Sequence, residues 1–442
     1  MRVTSMFIVA LALSAAPLDG AAGGNGADVL WEVDAPVPDA GSASVLAYDA
    51  DGDQLPDLLI TSRGREGPWW TASVDGKTGD VVWRRRHECS PDVCVLPSSS
   101  GRARVFAAVG REAMILDGTG GDVLVRTALP AMNGTAAVGE MDGDGIEDIV
   151  VAVGEERNDL LLALSGVDLH VLFKLAAEPD DSRMGNGFGE AVAFDTDLDG
   201  RCEVYVVENT DHLTKVDADG GRVWSVVLDE RGGRIPRGAI FARPVLADVT
   251  GDGLDDLCVG CLAGRLAVLD PLTGEVIASR RFGVRSDEQK RRTRRLPRFM
   301  RDMIAGTGEP VNEMLPVELN GSPGLELVFG CGNGRVYAYS PSTDEELWSV
   351  DSGTTVYEPA ISRELDGDGV PDLLAWHYRD VLLIDGREGT LVGGEPWLEG
   401  VDLEDPGTVM LEDVDGDGLL EGIFSGHGAR TVFAWRTGLE VQ

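Results

Sequence analysis

The sequence predicts an all-β fold made of one unit repeated around a closed ring, on three observations. An acidic nine-residue loop recurs seven times, at spacings of 46 to 91 residues, and every copy runs into an apolar stretch that reads as a buried strand. Between the loops lies a second pattern, two apolar strands around a turn of Asp, Gly and Thr, and it occurs eight times. The eighth hairpin stops at Val441-Gln442 before its last strand is complete, while the first strand of the chain, Asp28-Val29-Leu30-Trp31, matches the hairpin-ending Asp80-Val81-Val82-Trp83. The N-terminal strand can therefore pair into the last unit and leave no open edge.

Taken in order, residues 1–22 have a basic start at Arg2, an apolar core from Met6 to Ala16 and small residues at Gly20-Ala21-Ala22, the pattern of a secretory signal. Residues 23–442 are expected to form a single domain. Its loops begin at Asp49 (with Asp51, Asp53 and Asp57), Glu140 (Asp142, Asp144, Asp148), Asp195 (Asp197, Asp199, Glu203), Asp248 (Thr250, Asp252, Asp256), Glu318 (Asn320, Ser322, Glu326), Glu364 (Asp366, Asp368, Asp372) and Asp413 (Asp415, Asp417, Glu421). Oxygen-bearing side chains thus fall at positions 1, 3, 5 and 9 of a tight turn. That spacing suits a hard divalent cation, which takes six to eight oxygens at about 2.3 to 2.6 Å.

A helix-flanked calcium hand needs an acid at position 12, and here that position is Ile60, Val151, Val206, Val259, Phe329, Ala375 and Phe424. Each loop therefore joins two strands. The copies at Asp248 and Glu318 are weaker, because Thr250, Asn320 and Ser322 replace acids, and the expectation is five to seven Ca²⁺ ions. Acidic turns that bind nothing are the other reading.

The hairpins run from Ala72 to Trp83, Ala113 to Val125, Leu161 to Phe173, Leu213 to Trp224, Leu266 to Ala278, Val336 to Trp348, Val381 to Gly393 and from Thr431 onward. The 91-residue gap between the loops at Asp49 and Glu140 leaves room for an eighth unit whose loop has decayed to Ser98-Ser99-Ser100-Gly101. Eight four-stranded units of roughly fifty residues describe an eight-bladed β-propeller closed by an N-terminal strand, with seven blades as the alternative.

The net charge of −38 disfavours nucleic acid, and seven dications would bring it to −24. The exception is Arg280 to Arg301, with ten of the chain's 38 Lys and Arg; an insertion at about 280–310 could balance the acidic surface or dock an anionic partner. Six cysteines fit an exported protein, with Cys89 and Cys94 the expected disulfide pair and Cys258 and Cys261 buried in a strand.

The acidic loops resemble the FG-GAP/VCBS repeats of integrin α-subunit propellers and of many secreted bacterial proteins. The Trp-ending hairpins, such as Thr78-Gly79-Asp80-Val81-Val82-Trp83, are similar to quinoprotein-type repeats, although Val125, Phe173, Ala278 and Gly393 replace the tryptophan. The resemblance implies a secreted, periplasmic or cell-surface calcium-binding propeller that acts as a monomeric binding or adhesion module for a protein or glycan. Two alternatives accompany it: a polysaccharide-active enzyme similar to rhamnogalacturonan lyases, and an envelope assembly scaffold. No catalytic constellation is visible. His87, His170, His212, His377 and His427 are scattered, and the adjacent cysteine pair usual in quinoprotein dehydrogenases does not occur.

Overall fold

Strand propensity and burial period decide the architecture. The computed structural model describes residues 29–34, 42–63, 67, 69–97, 103–132, 136–155, 158–178, 187–209, 212–228, 240, 242–261, 264–282, 311–352, 356, 359–363, 368–377, 380–391, 406–426 and 431–440. The segment expected to be a secretory signal (residues 1–22), the loop at Ser98–Gly101, Glu364, Asp366, His427 and residues 283–310 of the expected basic insertion lie outside them.

After β1 (Val29–Asp34), the chain forms a first sheet from β2 (Ser42–Tyr48), β3 (Asp57–Arg63), β4 (Trp69–Val74) and β5 (Val81–His87). The second sheet takes β6 (Pro91–Leu96), β7 (Arg104–Val109), β8 (Glu112–Asp117) and β9 (Val123–Ala128); the third takes β10 (Ala137–Gly139), β11 (Asp148–Glu155), β12 (Asn158–Leu164) and β13 (Val171–Ala176). The fourth contains β14 (Phe188–Phe194), β15 (Glu203–Glu208), β16 (His212–Val216) and β17 (Arg222–Val227); the fifth contains β18 (Val245–Ala247), β19 (Asp256–Gly260), β20 (Arg265–Leu269) and β21 (Val276–Arg281). β22 (Val311–Val317), β23 (Glu326–Cys331), β24 (Arg335–Ser340) and β25 (Glu345–Asp351) make the sixth, and β26 (Pro359–Arg363), β27 (Asp372–His377) and β28 (Asp380–Ile384) the seventh. The last sheet has β29 (Pro406–Glu412), β30 (Leu419–Gly426) and β31 (Thr431–Glu440), with β1 paired antiparallel on the far side of β31. Among the described residues there is no helix.

Within each sheet the strands are antiparallel and, apart from β1 in the last sheet, consecutive, as in the blades of a β-propeller. Second strands such as β15, β19 and β23 are buried at every residue, because both of their faces meet neighbouring sheets. Outer strands such as β9, β17 and β21 alternate half-buried with exposed residues.

Aromatic side chains on those outer strands join one sheet to the next. Trp83 donates its indole N–H to the Gly118 carbonyl of the second sheet at 2.6 Å, Trp224 to the Pro271 carbonyl at 3.2 Å, and Trp348 to the Gly386 carbonyl at 2.9 Å. Trp31 makes the same bond to Gly76 at 2.6 Å, which fastens the last sheet to the first. Each ring lies on a turn glycine: a Cβ on Gly79 would come within 2.5 Å of Trp31, and one on Gly121 within 2.6 Å of Trp83. Phe173 packs on Gly220 in the same manner, so an aromatic ring suffices where the tryptophan is replaced.

The cysteine expectation is corrected. Cys89 and Cys94 are free thiols. Cys94 lies within β6, where it pairs in register with Phe106 and packs into the core between the second and third sheets, and burial pushes its thiol up to about 12. Cys258 and Cys261 are fully buried, as expected.

Candidate metal centres

Each acidic loop connects the first strand of its sheet to the second, so all seven sit at the same end of their sheets. A turn this tight needs its own backbone amides satisfied, and the acids do that first. The position 1 carboxylate bridges the turn: Asp49 accepts the amides of Gly52 and Gln54 at 2.6 and 3.1 Å, and Asp413 those of Gly416 and Gly418 at 2.8 and 3.1 Å. Position 3 accepts from position 5, as in Asp415 with Asp417 at 3.1 Å, and position 5 from position 7, as in Asp53 with Leu55 at 2.8 Å. In the described loops positions 4 and 6 take positive φ, except position 6 of the sixth-sheet loop, which is Pro323, and this is why glycine recurs there; Leu198 and Gln54 hold the same conformation at φ 61° and 72°.

The position 9 acid lies at or near the start of the second strand and is buried, with Asp57 half-buried. One oxygen accepts the amide of position 2: Asp57 that of Ala50, Asp148 that of Met141 and Glu421 that of Val414, at 3.0, 2.9 and 3.2 Å. Asp57 and Asp148 give their other oxygen to the turn glycines Gly76 and Gly166, at 3.2 and 2.8 Å. Burial pushes Asp57 and Asp148 up to about 6 and Glu421 up to about 7, with neighbouring loop acids adding to the shift.

Four loops bring three acids close enough to hold one metal ion, with the ligating oxygens within 4.8 Å of one another. They are Asp49, Asp51 and Asp53; Glu140, Asp142 and Asp148; Asp195, Asp197 and Asp199; and Asp413, Asp415 and Glu421. Asp248, with Thr250, Asp252 and Asp256, and Glu318, with Asn320, Ser322 and Glu326, form no such triad among the described residues. Of the remaining loop, Asp368 and Asp372 are described; Asp368 accepts the Val370 amide at 2.7 Å and pairs with Arg387 at 2.5 Å.

Three position 9 acids are glutamates, and their second contacts differ. In the fourth sheet the Lys215 ammonium, 4% exposed, lies 3.4 Å from Glu203, and the Thr196 amide and hydroxyl also bond that carboxylate. In the sixth sheet Ser322 donates its hydroxyl to Glu326 at 3.0 Å. Glu421 is fully buried, and its Oε1 has no hydrogen-bond partner among the described residues. Such an oxygen is costly unless a ligand meets it. The donor set around it, Asp413 and Asp415, is all oxygen, which fits a hard dication.

Sequence reasoning missed a second feature. Trp69, Trp70, Arg84, Arg86, His87 and Glu88 line an open groove of about 1050 Å³ on the outer part of the first sheet, with the Arg84 guanidinium 4.8 Å from the Trp70 ring centre. The signal available was the Trp69-Trp70 pair on one strand of a hairpin whose other strand carries Arg84-Arg85-Arg86, with Trp70 opposite Arg86. His87 itself is buried, with Nε2 3.0 Å from the Thr71 hydroxyl, and burial drives its pKa down to about 4.

With the fold and loops in place, known proteins can be compared. Residues 70–297, just over half of the 442, match the family described as outer membrane protein assembly factor BamB. No curated protein matches the chain by sequence. Among solved structures, BamB from Moraxella catarrhalis is similar at TM-score 0.55 and 14% identity, over 89% of this chain and 99% of that one. The rhamnogalacturonan lyase YesW is similar at TM-score 0.56 and 16% identity, over 96% and 76%. Quinohemoprotein alcohol dehydrogenase from Comamonas testosteroni is similar at TM-score 0.59 and 11% identity, over 94% and 77%. At such identities the likeness shows the fold, which serves an assembly factor and two enzymes alike.

Proposed function

From the premise that this chain belongs to the family described as outer membrane protein assembly factor BamB, we propose that it is an eight-bladed, calcium-braced propeller serving as a non-catalytic protein-binding scaffold in the cell envelope. The observation that carries the reading is the segregation of the acidic loops. All seven lie at one end of the sheets, four of them with converging carboxylates, so the connections at the other end are available to a partner. Calcium on the loop end would brace the turns between the two inner strands of each blade. The ions, five to seven in number, would be held by the position 1, 3, 5 and 9 side chains, and a secretory signal over residues 1–22 would deliver the chain to a calcium-rich compartment. The basic insertion would belong to the partner face.

Site-specific photocross-linking tests the assignment of faces. A cross-linker at Arg111 or Asp351, beside connections at the open end, should capture an envelope protein, whereas one at Asp53 or Lys77, at the loop end, should not. Capture from Asp53 and Lys77 alone would reverse the faces. Calcium-dependent cleavage of rhamnogalacturonan, or quinone-dependent oxidation of an alcohol, would replace the scaffold reading with an enzyme.

A further inference from the structure

The acidic loop of the last sheet stands where the chain closes on itself. Its position 2 residue, Val414, is fully buried in a cluster with Trp31 and Val33 of β1, Val432 and Ala434 of β31, and Leu58 and Val74 of the first sheet. Gly76, whose carbonyl accepts the Trp31 indole N–H, lies so near that an added Cβ would come within 3.2 Å of the Val414 side chain. Gly416 faces Leu55 of the first sheet's acidic loop in the same way, at 3.1 Å from an added Cβ. Loop, N-terminal strand and first sheet therefore meet at one point.

Glu421 connects this point to the metal cluster. Its Oε2 accepts the Val414 amide at 3.2 Å, its buried Oε1 has no partner among the described residues, and an oxygen of this carboxylate lies within 4.8 Å of oxygens of Asp413 and Asp415. In four other loops the second oxygen is met within the protein, by Ser322 for Glu326 and by turn glycines for Asp57, Asp148 and Asp372, while Lys215 lies 3.4 Å from the Glu203 oxygen that also accepts the Thr196 amide. We propose that a divalent cation held by Asp413, Asp415 and Glu421 is the clasp of the ring, so that cation binding there and docking of β1 are one linked equilibrium.

The inference rests on the metal reading of the loops and goes beyond it by assigning one site a distinct task. A cation on Glu421 fixes the carboxylate that fixes Val414, and Val414 is part of the floor on which Trp31 sits. Linkage is reciprocal, so a docked β1 must raise the affinity of this site by the same factor by which the cation favours docking.

Hydrogen exchange of the full chain, read by mass spectrometry over residues 29–34, tests the clasp with CaCl₂, with MgCl₂ and with chelator, alongside direct measurement of bound metal. Calcium should slow exchange of the β1 amides at least tenfold relative to chelator. Glu421→Gln should lose that protection, whereas Asp142→Asn in the third sheet should keep it. Trp31→Phe, which retains a ring but removes the indole donor, should weaken calcium binding at this loop several-fold and leave the third-sheet loop unchanged. Asp415→Asn gives a second variant should Glu421→Gln fail to fold. Absence of any bound metal overturns both the loop reading and the clasp. Calcium bound at the other loops, with β1 exchange indifferent to Glu421→Gln and Asp415→Asn, overturns the clasp alone.

Discussion

The acidic loops of the last and the sixth sheets share the anchoring of position 9 and differ in what satisfies it. In both, position 1 accepts the amide of position 4 and a buried glutamate at position 9 accepts the amide of position 2: Glu421 from Val414 at 3.2 Å, Glu326 from Leu319 at 2.9 Å. In the sixth sheet Ser322 supplies the remaining hydrogen bond to Glu326. In the last sheet Asp417 stands at that position and Glu421 Oε1 is left without a partner among the described residues. The turn is thus held by internal amides in either case, and under the proposed metal reading a cation has a task only where no hydroxyl has met the second oxygen of the glutamate. On that reading, counting D-x-D-G-D-G motifs overstates how evenly the molecule would depend on cations.

The largest effect should come from the aromatic contacts between sheets. Trp31→Ala removes the indole bond to Gly76, hollows out the closing cluster and loosens β1, so a loss of about 3–5 kcal/mol or more is expected. Trp348→Ala removes the equivalent bond to Gly386 but leaves its strand tethered on both sides in sequence, and should cost less. Urea unfolding of the two variants measures the difference. Equal losses would mean that β1 is no weaker a link than any other strand.

Next in size is the exchange of hydroxyl for metal. Ser322→Ala leaves Glu326 Oε1 without its hydrogen bond and should cost about 1–3 kcal/mol whether or not calcium is present. Glu421→Gln should lower the melting temperature in calcium toward that of the chelated protein, and chelation should then change little further. Calorimetric melting with and without chelator separates the two. A calcium-dependent penalty for Ser322→Ala would erase the distinction between the loops.

Most of the architecture was legible in the sequence because it is periodic. The acids of the loops alternate with glycine, β-branched runs follow them, and Trp31 repeats Trp83, so strand order and closure by β1 follow from spacing alone. What the sequence concealed depends on register between strands that are neighbours in space. Nothing near Glu203 marks Lys215 as its partner, since the pair forms only when β15 and β16 lie side by side. The Ser322 hydroxyl reads as a weakened ligand until the structure places it on Glu326. Cys89 and Cys94 read as a disulfide from their short spacing, but Cys94 packs against the core between the second and third sheets. His87, after three arginines, looks solvated, yet it is buried.

That histidine sets a pH dependence of its own. Its pKa is about 4 in the folded chain, lowered first by burial and then by the charge of Arg85, against about 6.5 when unfolded. Above pH 6.5 it is neutral in both states and its contribution is complete. As pH falls from 6.5 toward 4 the unfolded chain takes up the proton first, so stability falls by about 2–3 kcal/mol. The raised loop acids act in the opposite direction, so the measurement is the difference between wild type and His87→Gln in urea midpoints at pH 7.5 and pH 5. No change in that difference would place a charged His87 in the folded state.

The smallest effect isolates backbone strain from metal binding. Position 4 of the acidic loop has positive φ, and Gly416 and Gly321 meet that demand in the last and sixth sheets with φ of 74° and 72°. In the fourth-sheet loop the same position is Leu198, at φ 61° and 86% exposed, so its side chain gains little from packing while its backbone bears the left-handed penalty of about 1–2 kcal/mol. Leu198→Gly relieves that strain and gives back part of the gain, about 0.5–1 kcal/mol, through the greater freedom of glycine in the unfolded chain. A net stabilisation below about 1 kcal/mol is expected, equal in calcium and in chelator, because position 4 offers the cation no ligand. If the gain appears only with calcium, the turn is shaped by the ion rather than by its own amides, and the distinction between the last and sixth loops would have to be drawn from the metal instead of from Ser322.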